Sequence, residues 1–189
     1  VDFAPLQTTR SLNITIINDS LAEGDETVNL TLSGGINPLG AVNLGPPAVL
    51  TIVDNDVGFG FASSTFSASE GAGSAIITVI RFGDTNAPVS VKFATSDGTA
   101  TLAGGDYSSA SGTLNFAAQE VSKTFTVPIN NDSLVEGDEF VNLTLSSATN
   151  PTGSASFGQK TATLTILDND VGFSFSVTGF SVNENVANA

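Results

Sequence analysis

Residues 161–170 read TATLTILDND: an apolar run alternating with a period of two, stopped by two carboxylates on either side of an amide. Such alternation marks a strand with one buried face, and a cluster of Asp and Asn is the punctuation that ends one. A near copy, VLTIVDND, occupies 49–56, and both copies continue into Val-Gly-Phe, at 57–59 and at 171–173. Further out, IINDSLAEGDETVNLTLSGGIN at 16–37 and INNDSLVEGDEFVNLTLSSATN at 129–150 agree at sixteen of 22 positions. An internal repeat therefore organises the chain. It divides the sequence into the back half of one unit (1–56), a complete unit (57–170) and the opening of a third (171–189). Only the central piece holds the parts of a whole core, and the chain reads as a segment of a longer array.

Within 57–170, period-two runs separated by turn residues predict strands over about 58–68, 74–82, 89–95, 111–116, 121–130, 139–147 and 160–167. Seven short strands in one repeat give an all-β fold, a seven-stranded immunoglobulin-like antiparallel β-sandwich in tandem repeats. Pro128 has no backbone N–H to give a ladder, so its strand is expected at an edge or a bulge.

The totals narrow the function. Five basic residues against nineteen acidic ones leave a net charge of −14, which excludes nucleic acid and anionic membrane surfaces as partners. No apolar run is long enough to insert into a membrane. With no Cys and no His, disulfides, thiolate metal sites and the usual nucleophile and base pairs are missing, so the segment is not read as an enzyme.

The acids are not evenly spread. In a sandwich of alternating strands, the ends of the first, third, fifth and seventh strands share one pole. Just past them lie Glu70, then Asp106, then Asp132 and Glu136, then Asp168 and Asp170. The opposite pole offers only Asp84 and Glu120. Crowded carboxylates repel one another, and a hard divalent cation relieves this best. Calcium takes six to eight oxygen ligands from carboxylates, amide oxygens, carbonyls and water, whereas magnesium demands a stricter octahedron. Asn131 and Asn169 can add oxygens, while Asp138 and Glu139 stand outside the expected ligand set, a solvated turn being the alternative reading of this stretch. The first unit repeats part of the set as Asp19, Glu23, Asp54 and Asp56. The spacing is not that of a helix-loop-helix calcium loop, because counting from Asp168 puts Gly172 at position five and Gly179 at position twelve.

GTATLAGGDY at 98–107, SGTLNFAAQE at 111–120, NDSLVEGDEFVNLTLS at 131–146 and TATLTILDND at 161–170 together resemble the Calx-beta repeat, a family of calcium-binding domains named from sodium/calcium exchangers and found in tandem on surface proteins. The resemblance covers the whole central unit. It implies calcium as cofactor and places the ligands on Glu70, Asp106, Asp132, Glu136, Asp168 and Asp170, the set that the topology gives. The acidic runs are diluted by Asn130, Asn131 and Asn169, which implies fewer or weaker ions.

The expected function is a non-catalytic stalk, adhesin or matrix filament, on a bacterial surface or secreted, whose joints are stiffened by calcium. Its partners are calcium ions and neighbouring repeats, with glycans, other surface proteins or head-to-tail self-assembly beside them. The alternatives are a regulatory calcium sensor of a membrane transporter, and an adhesin module binding its ligand through loops 83–88 or 148–159.

Overall fold

The computed structural model describes residues 1–179 and 181. Its elements are β1 (Glu26–Leu30), β2 (Ala48–Ile52), β3 (Val57–Phe61), β4 (Thr65–Ser69), β5 (Ser74–Gly83), β6 (Val89–Asp97), β7 (Ser111–Phe116), β8 (Ser122–Pro128), β9 (Glu139–Thr149), β10 (Ala155–Phe157) and β11 (Thr161–Leu167). In the complete unit, one sheet has the order β10-β3-β5-β8 and the other β4-β11-β9-β6-β7. The all-β sandwich expected from the alternation is therefore what forms.

Two details differ from the seven-strand expectation. The first strand breaks at 62–64, so that β3 pairs antiparallel with β5, while β4 crosses to the other sheet and pairs parallel with β11. The short β10 then adds to β3 in parallel. Glycines at alternate positions of VGFGF make the first half possible. A Cβ at Gly58 would lie 2.0 Å from the Phe82 ring, so only glycine lets that ring lie across the strand.

The core follows from the inward positions of each run. Ile77, Val79, Val91, Val127, Val141, Leu143, Leu145 and Leu164 are all fully buried. Each such side chain contributes about 1.5–3 kcal/mol by leaving water. Phe59 and Phe116 meet across the core with centroids 5.5 Å apart. Pro128 closes β8, an edge strand of its sheet, as expected.

Arg81 is the exception among inward positions, being 3% exposed. Its guanidinium donates to the carbonyls of Asp84, Ala87 and Ala117, tying together two loops at the pole opposite the acids. Burial lowers its pKa.

The flanking pieces form less than a unit. In 1–56 the strands are β1 and β2, which pair antiparallel with each other. Residues 171–179 carry no assigned strand among the described residues, although 171–175 nearly repeats the sequence of β3. The remainder of the expected third unit, apart from Ser181, lies outside the described residues.

Candidate metal centre

Four segments build the acidic pole of the complete unit. β4 runs into a 3-10 turn at Glu70–Ala72, which turns Glu70 inward to 9% exposure. Glu70 Oε1 accepts the backbone N–H of Asp132 at 2.9 Å, joining the first segment to the loop after β8.

The loop after β6 is anchored by Tyr107, a core residue whose hydroxyl donates to Asp97 Oδ1 at 2.7 Å. Burial, reinforced by Asp97, pushes its pKa up to about 12. The preceding residue, Asp106, accepts the N–H of Thr101 on Oδ2 at 2.6 Å, and its carbonyl accepts the N–H of Asn130 at 3.0 Å.

Asp168, at the end of β11, is the hook on which the loop before β9 hangs. Its Oδ2 accepts the N–H groups of Glu136 at 3.1 Å and Gly137 at 2.9 Å, and its Oδ1 accepts that of Asp170 at 2.9 Å. Asp168 N in turn donates to Asp138 Oδ1 at 3.2 Å. The N–H donors, those of Asp170 and Gly137 first, hold the Asp168 carboxyl below its ordinary pKa.

Glu70, Asp106, Glu136, Gly137, Glu139, Ile166 and Asp168 line one cleft. Two trios of carboxylates can each bring one oxygen within 4.8 Å of the others: Glu70, Asp132 and Asp170, and beside them Asp106, Glu136 and Glu139. Burial and then the neighbouring acids raise the pKa of Glu136, led by Asp132 and Asp106, and that of Glu139, led by Asp106. The ion pair of the described residues, Lys123–Glu120, joins side chains near the start of β8, away from this pole.

These residues fit a calcium ion. Two oxygens bound on opposite sides at about 2.3–2.6 Å stand about 5 Å apart, the oxygens of either trio lie within 4.8 Å of one another, and every donor is a hard carboxylate oxygen. Asp170 Oδ2 is buried and has no hydrogen-bond partner. A buried carboxylate oxygen without a donor is costly, and a cation beside it removes the cost. Asn169 Nδ2 donates to Asn131 Oδ1 at 3.1 Å, bracing the two amides expected near the site.

Five of the six acids expected in the complete unit thus fall into the trios, and Asp168 lines the cleft while bonding to backbone. Glu139, not among the expected ligands, joins them. The signal was present: Val141, Leu143 and Leu145 face inward, so Glu139, two residues before Val141, shares that face. It pairs in register with the buried Ile166.

In the first unit, Asp19, Glu23, Asp54 and Asp56 line a separate depression. Glu23 N donates to Asp54 Oδ2 at 2.8 Å and Asp56 N to Asp54 Oδ1 at 2.9 Å, the same hook as at Asp168. Among the described residues no trio of acids converges there. Asp56 is instead 3% exposed, with Oδ1 accepting the backbone N–H of Ser154 from the next unit.

A family model described as the Calx-beta domain matches residues 1–56 and 52–170. Over 150 residues, 71% of this chain, the sequence is 32% identical to sodium/calcium exchanger 2 of Homo sapiens, of which that stretch covers 16%. Extracellular matrix protein 3 of Lytechinus variegatus is 32% identical over 142 residues, 70% of this chain and 4% of that protein. The chain therefore spans only a small part of either relative. Among solved structures, the apo form of the Calx CBD1 domain superposes with a TM-score of 0.56 at 28% identity, covering 60% of this chain and 98% of that one. The calcium binding domain CBD12 of CALX1.1 gives 0.55 at 28% identity, covering 68% and 53%.

Proposed function

The chain belongs to the Calx-beta domain family, and from that premise we propose that its complete unit is a non-catalytic calcium-binding module that reports the ion to the protein around it, as a regulatory sensor in a larger transporter-like chain. The observation that carries this reading is the pair of carboxylate trios around one cleft, with Asp170 Oδ2 buried and unpartnered. Glu70, Asp132 and Asp170 would hold one ion and Asp106, Glu136 and Glu139 would take a second or share the first. Calcium supplies the positive charge that the pole lacks. The loop 129–138 links the other three segments, and its order is what the ion would change. Without the ion, Glu136 and Glu139 repel their neighbours, while the hook at Asp168 keeps the loop from leaving. The similarity to the exchanger supports a sensor over the stiffened stalk expected from the sequence.

A stalk or matrix role remains the second reading, supported by the similarity to an extracellular matrix protein and by the near-identical repeats. The bacterial surface setting expected from the sequence draws no support from these relatives, which are animal proteins. Among the described residues no helix is long and apolar enough to cross a membrane.

Calorimetric titration of the chain with calcium tests the site. Heat and a raised unfolding temperature are expected, and no binding at millimolar calcium would sink the proposal. Hydrogen exchange separates the two readings. A sensor raises the protection of the 131–138 amides above their level in chelator when calcium is added, and protection that calcium leaves unchanged favours the stalk.

A further inference from the structure

Where the first unit meets the complete one, the contacts are made by amides, carbonyls and the Asp56 carboxylate, and involve neither carboxylate trio. Asn55 Nδ2 donates to the carbonyl of Thr152 at 2.9 Å. Asn150 Nδ2 donates to the carbonyls of Asn55 at 2.8 Å and Ser154 at 2.9 Å, bridging the two units with one side chain. Asn150 Oδ1 accepts the N–H of Thr152 at 3.1 Å and its hydroxyl at 2.8 Å, which holds the amide in place. Ser154 N donates to Asp56 Oδ1, and Ser154 O accepts the N–H of Val57 at 3.0 Å. From a second loop, Asp84 N donates to the Asp56 carbonyl at 2.8 Å. Gly153 is required by close approach, since a Cβ there would stand 2.1 Å from Asn55 O.

The loop occurs twice. Asn150-Pro151-Thr152-Gly153 has its counterpart in Asn37-Pro38-Leu39-Gly40, where Leu39 N donates to Asn37 Oδ1 at 3.0 Å in the same turn. There the space is open, and a Cβ at Gly40 would meet only Asn37 Nδ2, at 3.6 Å. The turn is therefore built by its own sequence, and at 150–154 it is filled by the Asn-Asp pair.

We infer that the Asn-Pro-x-Gly loop at 150–154 is a socket that recognises the Asn55-Asp56 pair, and that this metal-independent clasp fixes the joint between the first and the complete unit. Its partner is chemically defined: a backbone carbonyl, a carboxamide and a carboxylate in sequence, as Asn55 and Asp56 present them. The inference does not rest on the calcium reading, because neither trio contributes a bond to the clasp.

The absence of cysteine allows one label per unit. In the full chain, Thr27→Cys on β1 and Thr113→Cys on β7, both exposed, carry spin labels for a distance distribution across the joint. A narrow distribution is expected in chelator and in millimolar calcium alike. Asn150→Asp, which turns an acceptor toward two carbonyls, and Gly153→Ala are each expected to broaden it in both conditions. Gly40→Ala, the matching change at the open loop, is expected to leave it unchanged. Unfolding curves confirm that the complete unit still folds in each variant, and either variant alone suffices if the other does not. A distribution that is broad in chelator and narrows with calcium would overturn the inference. So would an unchanged distribution in folded Asn150→Asp.

Discussion

The two acidic ends of this chain share their loop sequence but not their outcome. In the first unit, Asp54 gathers the N–H groups of Glu23 and Asp56, as Asp168 gathers those of Glu136, Gly137 and Asp170 in the complete unit. Leu21 N bonds Asp19 Oδ1 at 2.8 Å, as Leu134 N bonds Asp132 Oδ1 at 2.6 Å. Bonds internal to a loop are thus written in the local repeat. The convergence of acids is not, because Glu70 and Asp106 come from the turn after β4 and the loop after β6, which the first unit lacks here. The proposed cation site is thus a property of the assembled sandwich, and the hook is only its scaffold.

The widest separation between the two ends should come from removing a member of a trio. Asp132→Ala is expected to weaken calcium binding about 100-fold, well inside the span over which ligand charge tunes such sites. Its twin Asp19→Ala should leave the affinity of the chain unchanged. Calorimetry on both variants checks this, and an equal loss in the two would show that the first unit binds the ion on its own.

Next comes the hook. Asp168→Ala removes the acceptor of three backbone N–H groups, and loop 131–138 should then position Glu136 poorly. Supporting groups of this sort cost about 10- to 100-fold in metal affinity, so a loss near the lower end is expected, with none for Asp54→Ala. If Asp168→Asn, which keeps one acceptor oxygen, restores most of the affinity, the role is positioning and not charge.

Much of this was legible before any coordinates. Alternation in the strands, the edge position of Pro128 and the single acidic pole all follow from period two and from chain direction. The split of the first strand was not, because VGFGF followed by ASSTFSAS reads as one continuous run. The break at 62–64 is decided by which sheet has an open edge at β11. Glu139 was missed for a different reason. Its charge suggested solvent, yet its place two residues before Val141 put it on the buried face. Asp56 shows the reverse, since its motif promised a ligand and its burial against Ser154 arises from a neighbouring unit.

Acid should narrow the difference between ligand-free and calcium-loaded chain. Glu136 and Glu139 have folded-state pKa values above their ordinary 4.5, so the folded state binds their protons more tightly than the unfolded one. Their contribution to stability is present below that ordinary value and is lost as pH rises through the raised values. Asp168 runs the other way, adding stability above its ordinary 3.8 that is lost as pH falls through its lowered value. In chelator, unfolding temperature should therefore rise as pH falls from neutral toward the weakly acidic range, then drop when Asp168 takes a proton. With calcium bound the repulsion is already relieved, so the ion's stabilisation should shrink over the same interval. Unfolding curves at a series of pH values, with and without calcium, measure it. A stabilisation that does not depend on pH would mean that Glu136 and Glu139 take no part in binding.

The smallest effect is expected at Tyr107, which acts two steps from the ion. Its hydroxyl bonds Asp97 Oδ1, the same oxygen that accepts the N–H of Leu102 at 3.1 Å, so Asp97 staples both ends of the loop that carries Asp106. Tyr107→Phe keeps the buried ring and removes one staple, worth about 1 kcal/mol. Some of that falls on folding and the rest on the placement of Asp106, so a loss of a few-fold in calcium affinity is expected beside a modest drop in unfolding temperature. The two measurements must move together for the loop to be a positioning device. A variant that loses stability but binds calcium as before would confine Tyr107 to the core, and Asp106 would then owe its place to the Thr101 and Asn130 bonds alone.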